Sequence, residues 1–372
     1  MSYLETVDRI ATEVVAPNAV SVDSDGRFPR EAVDALASAG LLGLISAKEV
    51  GGLGLGPSAA VRVIERLAQE CGSTAMVTTM HYAGTAVVEA KGSDDARRAL
   101  ASGERFTTLA FSEQGSRSHF WAPQSSAIVK GDTARLDAQK SWVTSAHAAT
   151  DYVWSSRPAA GDEASTIWLV PADAQGLTIA GPFTGLGLRG NESTPIRADG
   201  VEVPLARRLG EDGEGFGIMM GTVLPNFALM IAAGSLGLMS GALTRTIAHV
   251  SGARYAHLDT TLADLPTIRA YVARMQVKTD MVRALLHDAA EAVETGRADA
   301  MLRVLESKAA AGETATEVLD LAMRVCGGQA FRCDVGVERY FRDARAAGVM
   351  APTTDQLYDF IGKAVCGLDL FG

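Results

Sequence analysis

A chain of 372 residues with 47% hydrophobic and 21% charged residues can bury a substantial core and does not have the composition of a disordered chain. Its 44 acidic residues outnumber 34 basic ones for a formal net charge of −10, with no basic stripe, which argues against nucleic acid or an anionic membrane as partner and favours a small-molecule enzyme. Cys71, Cys326, Cys333 and Cys366 form no CxxC pair, so reduced thiols in a cytoplasmic protein, without metal ligation, are expected.

The opening MSYLETVDRIATEVV is amphipathic and lacks the basic and apolar regions of a signal peptide. Residues 1 to about 100 read as helices. Phe28-Pro29 before REAVDALASAGLLGL places proline early in a helix with Val33, Leu36, Leu41 and Leu42 apolar, ending near Gly40 and Gly43. GGLGLG at 51–56 follows Lys48-Glu49-Val50 rather than a buried strand, so it reads as a loop between helices and not as a dinucleotide fingerprint. Helical patterns continue over 58–69 and 73–90. The second carries His81, and a lone His on an apolar helix is ordinarily a core residue.

From about 106 to 204 the period shortens to that of strands: FTTLAF, SAIVKG, ARLDA, DYVWSS, STIWLVPA, GLTIAGPF and TPIRADGVEVP, separated by Gly-, Asp- and Pro-rich turns. This predicts a compact antiparallel barrel between helical blocks. A turn at Lys130-Gly131-Asp132 puts AFSEQGSRSHFWAP (110–123) and KSWVTSA (140–146) on neighbouring strands that face one pocket.

The remainder reads as helix. The uncharged stretch 217–244 could be mistaken for a membrane span, but Pro225, Asn226, Ser235, Ser240 and its glycines favour a fully buried helix starting near Pro225. Leu265, Ile268, Val272, Met275, Val282, Leu285 and Ala289 form an apolar stripe over 262–295. A further helix over 297–325 stops at Gly327-Gly328, and the last follows Pro352-Thr353-Thr354. The organisation is α+β: an N-terminal helical domain over 1–104, a β-barrel domain over 105–206 and a C-terminal helical bundle over 207–372.

The two facing segments hold Ser112, Ser118 and Thr144 as hydroxyl donors, backbone N–H groups at Gly115, and Trp142 as a flat apolar wall. A flavin needs such a set, because its pyrimidine edge gathers negative charge on reduction and its ring must be sealed from water. The segments resemble the TEPxAGS motif and the KxWITN strand of the acyl-CoA dehydrogenase superfamily. FPREAVDALASAGLLGLISAKEVGGLGL, LGEDGEGF, VCGGQAF (325–331) and VERYFRDARA (337–346) match the same family in the same order.

That resemblance implies FAD as cofactor and a homotetramer with FAD sites between subunits. It puts the Phe111 backbone and Ser112 at the flavin pyrimidine edge, Trp142 against the ring, Thr144 near its N5 side and Thr353 nearby. Gly327 and Gly328 would let backbone approach the pyrophosphate of a neighbouring subunit's FAD. Ser118 would lie at the thioester entrance, and the helix of His81 would line the acyl cavity.

Three departures stand out. The family's YEGT motif, which carries the α-proton base, falls on Met350-Ala351-Pro352-Thr353, so the Glu position is Ala351. The alternative base position, on an earlier helix, falls near Phe227. His81 and Asp355 are left as candidate catalytic groups. In place of RxxFG stands ARYAHLDTTLADLP (253–266), with Arg254 but no following Phe-Gly. In the flavin loop Gln114, Arg117 and His119 replace the family's Pro, Gly and Asp, and Arg117 could reach a substrate phosphate or carboxylate.

The resemblance therefore implies an FAD oxidoreductase acting on an acyl thioester, on coenzyme A or a carrier protein, with an electron-transfer flavoprotein or oxygen as acceptor. One alternative is a flavin monooxygenase acting on an amine or aromatic, with His81 over the ring. Another is a base-less partner subunit of a hetero-oligomeric acyl-CoA dehydrogenase.

Overall fold

The computed structural model describes residues 2–116, 119–162, 164–257 and 259–370. Helix α1 (Tyr3–Ile10) opens on a capping box between Ser2 and Glu5, and passes through a π-helical turn (Ala11–Val15) into α2 (Ala16–Ser24). Helix α3 (Arg30–Ser38) starts directly after Pro29. The glycine cluster then forms a loop folded tightly on itself: a Cβ at Gly52 would lie 2.1 Å from the Ser46 carbonyl oxygen. Helices α4 (Pro57–Ala68), α5 (Gly72–Lys91) and α6 (Asp94–Ala101) complete this part.

All seven expected strands form: β1 (Thr107–Ala110), β2 (Ser126–Lys130), β3 (Thr133–Val143), β4 (Asp151–Ser156), β5 (Thr166–Pro171), β6 (Leu177–Ile179) and β7 (Thr194–Pro204). A two-residue β8 (Arg208–Leu209) is added at one edge. They make two four-stranded sheets, ordered β1-β4-β5-β8 and β2-β3-β7-β6. Trp154, Trp168 and Tyr152 of the first and Leu136, Ile196 and Val203 of the second share one buried cluster. One pair departs from the antiparallel expectation, since β1 and β4 run parallel. The chain leaves β1, builds the β2–β3 hairpin of the other sheet and only then returns, and such a crossover is what a parallel neighbour requires.

Helix α7 (Gly215–Ile218) leads through a second π-helical turn (Met219–Val223) into α8 (Leu224–Gly252). By length and apolarity this helical run qualifies as a membrane span, yet Ala228, Leu229, Ala232, Leu236, Met239 and Ala242 are buried inside the protein, as in a core helix. Helix α4 lies hard against it. A Cβ at Gly237 would be 2.3 Å from the Glu65 carbonyl oxygen, and one at Gly241 2.4 Å from that of Gln69.

A small hairpin, β9 (Arg254–Tyr255) with β10 (Thr260–Thr261), precedes α9 (Pro266–Glu294). The buried stripe of α9 is Met275, Thr279, Val282, Leu286 and Ala289. Leu286, not Leu285, continues the heptad spacing from Thr279, and the expected Leu265 is exposed. Helix α10 (Ala300–Cys326) ends at Gly327 with φ +57, as the glycine pair predicts. Helices α11 (Val337–Val349) and α12 (Thr354–Val365) close the bundle, with the Thr353 side chain capping α12.

Candidate active site

The chain leaving β1 turns beside the end of β3, where Ser141 N–H donates to the Ser112 carbonyl at 2.9 Å and Glu113 bridges Lys140. Under this junction lies an ion pair. Lys140 Nζ stands 2.5 Å from Glu113 Oε1 and also donates to the Ser155 carbonyl at 2.7 Å and Ser155 Oγ at 2.9 Å. The other lone pairs of Glu113 take hydrogen bonds from Gln124 N–H at 2.6 Å and from Ser125 N–H and Oγ–H at 2.9 and 2.6 Å. Burial alone would raise the Glu113 carboxyl. The Lys140 charge and these donors outweigh it and hold the carboxyl below its ordinary value. Burial pulls Lys140 down to about 8 against the opposing effect of Glu113.

Two residues after Lys140 the backbone enters the left-handed region, with Trp142 at φ +56 and Ser145 at φ +58. The turn presents the Trp142 indole outward, 69% exposed and edge-on to Phe183. Thr144 stays buried, its Oγ1 2.9 Å from Ser193 Oγ.

These groups border a cavity of about 660 Å³. Phe111, Ser112, Trp142 and Thr144 form one wall, Met76 and Met80 of α5 another, Leu224 and Phe227 of α8 a third, and Met350, Ala351 and Thr353 the fourth. Gly187 and Leu188 also line it. Leu188 is held at φ +51 by its N–H donating to Asp343 Oδ1 at 2.6 Å. Burial pushes the Asp343 carboxyl up to about 7, the Leu188 N–H lowering it only in part. A neighbouring cleft of about 840 Å³ shares Glu113, Ser141, Trp142, Phe183 and Ser193 with this cavity.

Of the residues singled out in the sequence, Phe111, Ser112, Trp142, Thr144, Ala351 and Thr353 meet here. His81 does not. It is fully buried and stacked on Phe106 at 4.8 Å between ring centroids. Thr107 N–H donates to Nδ1 at 3.2 Å, so Nε2 carries the proton and donates to the Leu42 carbonyl at 3.1 Å. Burial draws its pKa down to about 4, the Leu42 hydrogen bond opposing. Helix α5 faces the cavity through Met76 and Met80, and His81 occupies its core face.

Asp355 is exposed in the first turn of α12 and does not line the cavity, because the helix turns it away from the Thr353 side. Arg254 is exposed and paired with Asp259 at 2.6 Å. Gly327 and Gly328 lie on the surface, where an added Cβ would meet nothing within 4 Å. None of these three residues lines the cavity within this chain. Arg117 and Ser118 fall outside the described residues. Glu113 and Lys140 had no role in the sequence reading, although two opposite charges inside strand-like segments were the available signal.

The residues present fit a flavin. An apolar ring wall (Trp142, Phe111, Leu109) stands beside the hydroxyls of Ser112 and Thr144, and the buried hydroxyl of Thr194, on the neighbouring cleft, has no hydrogen-bond partner among the described residues. A large indole fixed outward by a left-handed backbone suits a flat aromatic partner.

Comparison with known proteins agrees. The family models "Acyl-CoA dehydrogenase, N-terminal domain", "middle domain" and "C-terminal domain" match residues 2–103, 108–201 and 213–366 in turn. The probable acyl-CoA dehydrogenase fadE25 of Mycobacterium bovis is 28% identical over 350 residues, covering 92% of this chain and 89% of that protein. The cyclohex-1-ene-1-carbonyl-CoA dehydrogenase of Geobacter metallireducens is 27% identical, covering 97% and 96%. The structure of a glutaryl-coenzyme A dehydrogenase in complex with glutaryl-CoA superposes with a TM-score of 0.92 at 25% identity, covering 99% and 95%. With motifs, fold and cavity in agreement, the chain belongs to the acyl-CoA dehydrogenase family and is an FAD-binding oxidoreductase of the class acting on CH–CH groups.

Proposed function

We propose that this protein takes an acyl thioester, on coenzyme A or a carrier protein, into the cavity bordered by Trp142 and Ala351, and that its dehydrogenation there is held back by the lack of a carboxylate base. One observation carries the reading. Ala351 and Phe227, the two positions where the family pattern places the α-proton base, line the same cavity as Phe111 and Trp142, and both are apolar. Among the described lining residues Glu113 is the one ionisable side chain, and its carboxylate is committed to Lys140, Ser125 and Gln124.

FAD, when bound, supplies the acceptor of two electrons. Trp142, Phe111 and Leu109 offer it an apolar seat, and the hydroxyls of Ser112 and Thr144 are placed to donate where negative charge gathers. Met76, Met80, Leu224 and Phe227 keep water from an acyl chain. Arg254, Gly327 and Gly328 are assigned to the FAD of a neighbouring copy in a homo-oligomer. Exposed Val277 and Met281 on α9, and Phe331 beside the glycine pair, support that assembly. Electrons would leave to an electron-transfer flavoprotein or to oxygen.

Anaerobic mixing of the FAD-loaded protein with octanoyl-CoA tests the proposal. The flavin band is expected to shift on binding and to bleach slowly. In Ala351→Glu the new carboxylate should speed bleaching by ~10²–10⁴, the range over which general bases act. If no acyl thioester perturbs the spectrum of either protein, the thioester reading fails. The monooxygenase reading would then come first, with a group other than His81 over the ring.

A further inference from the structure

Lys308, on the third turn of α10, is 1% exposed, and among the described residues no carboxylate lies within ion-pair distance of it. An ammonium buried without a counter-charge costs several kcal/mol unless oxygen atoms replace its hydration shell. Here three carbonyls take its hydrogen bonds, and burial still draws the amine down to about 7. Nζ donates to Pro352 O at 2.7 Å, to Met350 O at 3.0 Å and, more weakly, to Ala347 O at 3.5 Å. The last carbonyl belongs to the final turns of α11, whose negative dipole end also favours a cation.

These acceptors have a common address. Residues 350–353 cross from α11 to α12, joined to the two helical ladders at their ends by Met350 N–H donating to the Ala346 carbonyl at 3.0 Å and Leu357 N–H donating to the Thr353 carbonyl at 2.9 Å, and Met350, Ala351 and Thr353 form one wall of the cavity. One side chain reaching from α10 thus fixes the end of α11 and two carbonyls of the crossing. Lys308 lies in phase with Val304, Ala311 and Ala315 on the buried face of α10, where an aliphatic residue would satisfy packing alone.

We propose that Lys308 is a positioning residue for substrate: its Nζ hydrogen bonds hold the 350–353 crossing so that Met350, Ala351 and Thr353 stay against the acyl thioester. The proposal rests on the thioester reading above. It makes Lys308 the support of the backbone on which other family members would carry their base, through a residue that does not itself line the cavity.

The test uses FAD-loaded wild type, Lys308→Met and Lys308→Gln, the last keeping a shorter neutral donor. Amide hydrogen exchange is followed without ligand, and octanoyl-CoA is titrated against the flavin band. In Lys308→Met, exchange over 346–357 should rise about tenfold while α8 stays unchanged, a loosening of about 1.4 kcal/mol confined to the crossing. Octanoyl-CoA affinity should fall about tenfold with FAD content unaltered, and Lys308→Gln should recover part of both.

Unchanged exchange over 346–357, or exchange raised evenly through the bundle with octanoyl-CoA affinity intact, would overturn the assignment. So would failure of both variants to fold, since Lys308 would then serve the fold and not the cavity. If wild type itself gives no response to octanoyl-CoA, the thioester reading has failed, and exchange over 346–357 alone decides whether Lys308 holds the crossing.

Discussion

Lys140 and Glu113 meet at 2.5 Å beneath the point where the Ser112 loop joins β3, and neither side chain is more than 3% exposed. The pair therefore sets how the Ser112 loop sits on the strand that carries Trp142. Lys140→Met leaves Glu113 buried without its counter-charge and should cost ~3–5 kcal/mol, the range for breaking a buried pair. Glu113→Gln with Lys140→Met should recover much of that loss. Denaturant melts of the three proteins, with FAD content after gel filtration, would show it. Equal losses in the single and double variants would mean that the charges are not coupled.

Trp142 is exposed at φ +56, so its ring contributes little to the fold while its backbone carries strain. Trp142→Gly should leave the stability of FAD-free protein within about 1 kcal/mol of wild type, or raise it. FAD affinity should fall at least about tenfold, the loss of roughly 1.4 kcal/mol of stacking. Fluorescence titration with FAD and thermal melts separate the two effects.

His81→Ala should destabilise the protein by on the order of 3 kcal/mol, because it removes a buried ring and strips partners from the Leu42 carbonyl and Thr107 N–H. Octanoyl-CoA-dependent bleaching, normalised to bound FAD, should be unaltered. The His81 pKa is about 4 when folded, below its value of 6.5 when free. Its contribution to stability is full above pH 6.5 and is lost as the pH falls toward 4. The stability gap between wild type and variant should accordingly narrow from pH 7 to pH 4.5.

Asp343 gives the opposite slope. Its folded pKa of about 7 exceeds the 3.8 of a free carboxyl, so its contribution is complete below pH 3.8 and lost as the pH rises through 7. Asp343→Asn can still accept the Leu188 N–H and has no such titration. Relative to wild type the variant should gain stability between pH 5 and pH 8. A constant difference across that range in denaturant melts would contradict the burial argument.

The elements that were legible in the sequence are those fixed by local chemistry. Pro29, Pro57 and Thr353 begin helices and Gly327 ends one, just as such residues do in isolated peptides. Alternation gave all seven expected strands, but not that β1 lies parallel to β4, because strand direction depends on where the chain returns. That Phe111, Ser112, Trp142 and Thr144 face one cavity was legible through the family resemblance. His81 read as a core residue from its helix and as a candidate site group through the resemblance, and its two backbone partners, Leu42 and Thr107, assign it to the core. Lys308 was invisible because its acceptors lie about forty residues further along the chain, and a single lysine in an alanine-rich helix has no signature.

Gly237 and Gly241 let α8 lie directly on the backbone of α4, and Leu224 and Phe227 of the cavity wall ride on the same helix. Ten residues of α-helix separate Phe227 from Gly237, a span of roughly 15 Å. A methyl group at 237 would force the two backbones apart, and a rigid rod carries such a displacement to its end. The bore of the cavity is thus governed at a distance by a hydrogen atom in place of a side chain. A substitution there would alter the cavity without changing any residue that lines it.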